Sequence, residues 1–207
     1  LDIETAPNLA HVWGIWDENI PLERLLESGY ILCWAAKWHG ETQVFRASRR
    51  DSSSKKMLMK MWKLLDEADA VVSYNGKRFD IPWLNREFII RGMLPPSPYK
   101  QVDLLETVKR QFKFPSNKLE YVVKALGVGE KMKTSGYQTW IGCMNGDSEA
   151  WDEMITYNIQ DVVILESVYV KLLPWIKGHA NHSLYNTGSR VCPHCGGTHL
   201  HKRGFVY

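Results

Sequence analysis

The 207-residue chain contains no uninterrupted apolar run near the roughly 20 residues that span a bilayer, and no secretory leader is read ahead of Leu1. No membrane partner is expected. Cysteine is scarce: Cys33 and Cys143 stand alone, and Cys192 and Cys195 form a single CxxC. That is not the framework of a disulfide-stabilised secreted domain, so the expected compartment is reducing and cytoplasmic (the host's cytoplasm for a viral chain). Carboxylates are absent after Glu166, where Lys171, Lys177, Arg190, Lys202 and Arg203 stand unopposed. The body before them is slightly acidic, and the net charge is only +3. A basic, histidine-containing tail suits a nucleic-acid partner, and equally a merely solvated end.

What is present is a globular composition, 44% apolar and 24% charged, with nine Trp for a core or for stacking on bases. This length supports one sizeable domain with a small appendage, read as 1–177 and 178–207. In the first 47 residues "LDIE", "HVWGIW", "YILCWAAKW" and "TQVFRA" read as strands joined by short turns, which suits an antiparallel meander. From Lys55 to Ala68 the apolar positions Met57, Leu58, Met61, Trp62 and Leu65 recur at helical spacing and predict core packing. "AVVSY" and "YKQVD" predict short strands, each followed by a helix, the first starting at Asp80 and ending before Gly92. Ser116 or Asn117 is the expected cap of "KLEYVVKAL", which Gly127 terminates. Residues 128–146 read as an irregular excursion, and Asp147 or Ser148 caps a long helix reaching Leu173. The expected fold is therefore α/β, a mixed β-sheet flanked by helices.

Three places in this frame carry carboxylates that need a reason. On a strand, i and i+2 share a face, so Asp2 and Glu4 of "LDIET" sit side by side. Adjacent carboxylates repel, and one shifts its pKa upward unless a cation neutralises them. A lone DxE is ordinarily a solvated edge. Asp80, in "YNGKRFDIPWL", stands at a helix start, where capping alone would explain it. Asp161, in "YNIQD", is followed by the apolar "VVILESVYV", so it enters a buried helix, where a carboxylate is costly without a partner or a metal. Tyr157 lies four residues earlier, on the same face.

Taken together, "DIET", "YNGKRFDIPWL" and "YNIQD" resemble, in order and spacing, the three exonuclease motifs of the DEDD superfamily, the DnaQ-like branch of the ribonuclease H fold. The Tyr four residues before the last Asp resembles the DEDDy subgroup, which includes the proofreading domains of family B DNA polymerases. "KLEYVVKALGVGEK" is similar to the helix between their second and third motifs. The resemblance implies a ribonuclease H-like sheet and a 3′–5′ exonuclease, with single-stranded DNA ends favoured over RNA. Four carboxylates without His or Cys suit Mg²⁺ or Mn²⁺, and two such ions about 3.5–4 Å apart can activate water and stabilise the leaving oxygen. By resemblance, Asp2 would bridge both ions, Glu4 and Asp161 would hold the ion that activates water, and Asp80 would complete the shell. Tyr157, whose phenol has an unperturbed pKa near ~10, would position that water and not deprotonate it. Asn75 and Phe79 match positions near the terminal nucleotides. Lys77, Arg78, Lys118, Lys124, Lys131 and Lys133 are candidates for a phosphate-tracking groove. A structure-specific nuclease and a catalytically silent nucleic-acid-binding module on the same fold are the alternatives.

The tail, "CPHCGGTHLHKRG", resembles the first half of a zinc ribbon. Four-coordinate Zn²⁺ needs two ligands beyond Cys192 and Cys195. Either His199 or His201 completes a compact site, or the ribbon is cut midway. A redox CxxC ranks last. The half ribbon, with a first carboxylate already at position 2, leads to the expectation that Leu1 and Tyr207 are not natural chain ends.

Overall fold

The computed structural model describes residues 1–180, 191–193 and 197–200. In chain order it runs β1 (Asp2–Thr5), β2 (Leu9–Ala10), β3 (Leu25–Glu27), β4 (Ile31–Lys37), β5 (Val44–Ser48), α1 (Ser54–Glu67), β6 (Ala70–Ser73), α2 (Asp80–Ile90), β7 (Lys100–Asp103), α3 (Leu104–Gln111), α4 (Leu119–Leu126), α5 (Tyr137–Met144) and α6 (Ser148–Leu172). The apolar run 31–35 becomes fully buried and sits at the centre of an antiparallel sheet ordered β1-β4-β5, with Asp2 opposite Ala35 and Glu4 opposite Cys33. β6 and β7 form a separate parallel pair joined through α2. The expected mixed sheet is thus divided into the antiparallel β1-β4-β5 ladder and the parallel β6-β7 ladder, with β2 and β3 forming a further antiparallel pair. The backbone nitrogen of Leu1 donates to the Val72 carbonyl at 3.1 Å across the gap.

Helices cover the sheets because their apolar stripes have nowhere else to go. Met57, Leu58, Met61 and Leu65 of α1 pack with Ile3, Ile31, Trp34, Leu84 and Phe88. A second cluster joins Val102, Leu104, Val108, Val122 and Val123 to Leu165, Val168 and Leu172 of α6. A third sets Leu32 and Cys33 of β4 against Trp151, Met154 and Ile155 of α6. The long helix therefore touches both ladders and fixes where its polar residues emerge.

Four local expectations are corrected. "HVWGIW" is not a strand: the Glu18 carboxylate accepts from the backbone N–H groups of Trp13 (2.9 Å) and Gly14 (2.7 Å), turning the chain and taking the donors a ladder would use. Only Leu9–Ala10 pairs, with β3, a strand hidden inside the stretch read as turn. The excursion 128–146 contains α5, whose Gly142 disguised it. A Cβ there would lie 2.5 Å from Ala150 Cβ, so the glycine serves α5–α6 packing and does not break the helix. Third, neither Ser116 nor Asn117 caps α4; Lys118 occupies that position without a side-chain bond, and Ser116 Oγ accepts from its N–H at 3.3 Å. Last, Phe79 holds the cap position of α2, leaving Asp80 as its first helical residue.

Gly76 is placed just as tightly. An added Cβ would sit 2.1 Å from Ser73 Oγ and 2.4 Å from Ser73 Cβ, with Asp80 Oδ2 at 3.4 Å. Gly76→Ala is expected to cost about 1–3 kcal/mol by overpacking. Urea unfolding checks this as a lower midpoint with an unchanged m value.

Candidate active site

β1 supplies Asp2 and Glu4, one strand face carrying both, and α6 supplies Asp161 from the helix packed across it. One carboxylate oxygen from each lies within 4.8 Å of the others. Asp80 reaches the same strand from α2: its Oδ1 accepts from the Ile3 N–H at 3.0 Å, and its side chain is buried. It thus abuts the three-carboxylate cluster and locks α2 to β1.

Burial and mutual repulsion leave these acids reluctant to ionise. Burial, with Asp80 and Asp161 adding repulsion, pushes the Asp2 carboxyl up to about 8, although Asn158 pulls the other way. Glu4 rises well above the usual carboxylate range for the same first reason, burial, with Asp2 and Asp161 adding to it. Asp80 rises to about 6, burial again dominating over the Ile3 N–H that it accepts from. Asp161 is raised by burial against the opposing pull of Lys131. Asp161 Oδ1 is buried with no hydrogen-bond partner. A hard cation fits this set: clustered oxygens, raised pKa values and an orphaned lone pair are what a divalent ion would resolve.

Two neighbours hold the cluster in shape, and neither was assigned there from the sequence. Asn158 Nδ2 donates to Asp2 Oδ2 at 2.7 Å, bridging α6 to β1. Its signal was legible: an amide within the buried stripe Met154, Ile155, Asn158, Asp161, Val162. Lys131, read only as a groove residue, puts its Nζ 2.9 Å from Asp161 Oδ2 and 4.8 Å from the Tyr157 ring centroid. Burial opposes its charge, but the nearby Tyr157 and Asp161 oxygens outweigh it, and its pKa rises. Burial pushes the Tyr157 phenol up to about 12 despite Lys131.

The turn before α2 depends on a third unforeseen residue. Asp103, at the end of β7, accepts from the N–H groups of Asn75 (2.8 Å), Lys77 (3.2 Å) and Leu105 (3.0 Å), capping α3 and fixing the turn together. Asn75 has φ of 71°, a left-handed conformation asparagine tolerates. Phe79 is 38% exposed, available to a ligand, with its ring against Trp83. Lys77 pairs with Glu106 at 2.6 Å, and Arg78 is exposed. Beside Tyr157 a groove of about 510 Å³ is lined by Lys118, Lys131 and Lys133 but not by Lys124. In the tail, the Cys192 N–H donates to the Gly197 carbonyl at 2.8 Å and His199 is exposed, whereas Cys195 and His201 lie outside the described residues. Among the described residues no helix is long and apolar enough to cross a membrane.

A family model described as RNase_H superfamily (RNase_H_2) matches residues 27–173. Asp80, Tyr157 and Asp161 fall inside that span, while Asp2 and Glu4 precede it and join the site only through the fold. Among solved structures, the family B DNA polymerase of the hyperthermophilic archaeon Pyrobaculum calidifontis is similar in fold, with a TM-score of 0.57 and 20% identity over 70% of this chain. The chain spans 22% of that polymerase's length. No curated protein matches.

Raised carboxyl pKa values mean that the metal-free native state holds protons the unfolded chain gives up. Stability then falls as pH climbs from about 4 toward about 8. A bound divalent ion removes the repulsion, so the Tm gain on adding Mn²⁺ is expected to be larger near pH 8 than near pH 5. Thermal unfolding with EDTA or MnCl₂ measures it; equal gains at both pH values would contradict the assignment.

Proposed function

The chain belongs to the ribonuclease H superfamily, and from that premise we propose that it is a divalent-metal-dependent nuclease of DEDDy type, trimming nucleic acid from the 3′ end. The observation that carries the reading is the convergence of Asp2, Glu4 and Asp161 within 4.8 Å, with Asp80 bonded to the backbone between the first two. When bound, divalent cations supply a hydroxide-like water at neutral pH and offset charge on phosphoryl oxygens. The four carboxylates would hold them.

The chain's own residues do the rest. Tyr157 keeps its proton at neutral pH, since its pKa lies near 12, so it orients a water or a phosphate oxygen and does not abstract a proton. Its ring centroid lies 4.8 Å from the Lys131 Nζ, the same ammonium that pairs with Asp161 at 2.9 Å. Lys131 lines the adjoining groove, where its ammonium is placed to meet a phosphate. Asn158 keeps Asp2 turned toward the cluster. Phe79, exposed at the start of α2 beside Asp80, offers a ring on which a terminal base can stack. Single-stranded DNA is the favoured substrate, because the second motif resembles polymerase proofreading domains most.

Asp161→Ala is expected to abolish hydrolysis while the protein stays folded. A 5′-labelled oligonucleotide, as DNA and as RNA, incubated with Mg²⁺ or Mn²⁺, should shorten stepwise from its 3′ end with the unaltered chain only. Undiminished metal-dependent hydrolysis by Asp161→Ala refutes the site, and internal cuts at junctions or flaps replace the exonuclease with a structure-specific nuclease. Lys131→Ala is expected to lower the rate by about 10²-fold or more, the scale for losing one group that orients the nucleophile or stabilises charge, measured under saturating metal.

A further inference from the structure

Away from the carboxylates, α2 carries a second set of functional groups that the proposed reaction does not use. Glu87 is buried on α2 and is ringed by Arg86 (3.0 Å), Arg91 (2.8 Å) and Arg49 (4.0 Å). One carboxylate is satisfied by one bidentate guanidinium, so two positive charges here are left over. Their side chains retain 36%, 24% and 29% exposure, which leaves an edge of each open to solvent. Each guanidinium has five N–H donors. Arg49 directs Nε to the Ile31 carbonyl (2.9 Å), Arg86 bonds Gly29 O and Ser28 Oγ besides Glu87, and Arg91 bonds Glu87 O and Ser54 Oγ. These bonds hold the guanidinia in place without exhausting their donors. Burial lowers the Arg49 pKa, so the surplus charge is costly without an anion.

Aromatic rings alternate with these cations. Phe79 touches Trp83 (6.4 Å between centroids), Arg86 lies 5.0 Å over the Trp83 ring, and Arg49 lies 4.0 Å over the Tyr30 ring. Along α2 Arg86 and Arg91 follow Asp80 by six and eleven residues, about 9 and 16 Å along the axis at 1.5 Å per residue, while Tyr30 and Arg49 join them from just before β4 and just after β5. Cations interleaved with rings along a line suit a single strand, whose phosphates meet the former and whose bases meet the latter.

We propose that Arg49, Arg86 and Arg91, with Trp83 and Tyr30, form a track for the backbone and bases of a single-stranded nucleic acid whose 3′ end lies at the carboxylate cluster. The track rests on the nuclease reading for its direction, but its affinity for a strand does not require hydrolysis. Glu87 tempers it: the carboxylate organises the three guanidinia and cancels one of their charges.

The test is fluorescence anisotropy of a labelled oligo-dT of about ten nucleotides, bound by the full 207-residue chain in EDTA, across a salt series. Arg86→Gln and Arg49→Gln should each reduce the slope of log K against log salt by about 0.7, the value of one phosphate contact to a single strand. Glu87→Gln should destabilise the protein and yet bind about fivefold tighter at 0.1 M salt, since one opposing charge is removed at the same 0.7 per charge. A purely structural cluster predicts destabilisation with binding unchanged, so affinity and slope equal to those of the unaltered chain in folded Glu87→Gln overturn the track. Hydrolysis is scored separately with Mn²⁺. Active enzyme with these variants binding normally removes the track and keeps the nuclease, while salt-sensitive binding that tightens in Glu87→Gln without any hydrolysis keeps the track and removes the nuclease.

Discussion

Repulsion among carboxylates brought together from three elements is the constraint around which this fold is arranged. A strand that presents Asp2 and Glu4 on one face, a helix that presents Asp161 opposite them and a second helix that begins at Asp80 would push apart if nothing opposed it. Each is held by a specific device. Asn158 ties Asp2 to α6, the Ile3 amide ties Asp80 to β1, and Lys131 neutralises part of Asp161. Apolar packing does the gross work, with α6 pressed on both ladders through Leu165, Val168 and Met154. Such burial is worth roughly 1.5–3 kcal/mol per large side chain, which is why a few raised carboxyl pKa values can be tolerated in the native state. The same tension makes the cluster receptive to divalent cations.

The path from β6 to α2 shows how backbone detail places a functional side chain. The chain must reverse within six residues, 74–79, and deliver Asp80 to the neighbouring ladder. Asn75 takes a left-handed conformation, and Gly76 passes so close to Ser73 that no Cβ fits. Asp103 collects the amides this turn would otherwise leave unpaired, while its own position is set by the pairing of Ser73 with Asp103 across β6 and β7. A parallel strand pair, a turn and the start of α3 thus share one buried carboxylate. Losing it would loosen Asp80 without touching the site directly.

Periodicity made most of this architecture legible. The Met stripe of α1, the buried run of β4, the short strands before α2 and α3, the Gly127 stop of α4 and the Asp147 cap of α6 all follow from local chemistry, and they occur where that chemistry places them. The carboxylates were readable as a set for a different reason: taken singly only Asp161 stood where burial made it expensive, and "DIET", "YNGKRFDIPWL" and "YNIQD" joined it through their resemblance to one family's motifs. What escaped depended on contacts between distant segments. The Gly142 of α5 makes sense only against Ala150, the failure of "HVWGIW" as a strand only through the carboxylate of Glu18, and the separation of the two ladders only in three dimensions. Asp103 and Lys131 belong to the same class, because nothing in their neighbours in sequence says which side chain or amide they will meet.

Charge layout closes the account of how an anionic polymer can approach an anionic site. Around the carboxylates lie two cationic regions: the groove of Lys118, Lys131 and Lys133 beside Tyr157, and the guanidinia gathered on Glu87 along α2. Neither neutralises the acids outright, since only Lys131 contacts one of them, at 2.9 Å from Asp161. A phosphodiester attracted to either region is therefore brought to the edge of the cluster, whose metal-free acids have raised pKa values and offer it no positive charge. On the proposed reading, entry requires added positive charge at the cluster itself, which divalent cations held by its oxygens would supply. Substrate binding and metal binding are then coupled in sign: each lowers the electrostatic cost of the other, and by linkage the coupling is reciprocal. The basic regions alone would give a nucleic-acid-binding surface, and the acids alone a metal site. Set side by side on α2, β1 and α6, they would, on the proposed reading, make occupancy of one the condition for productive occupancy of the other.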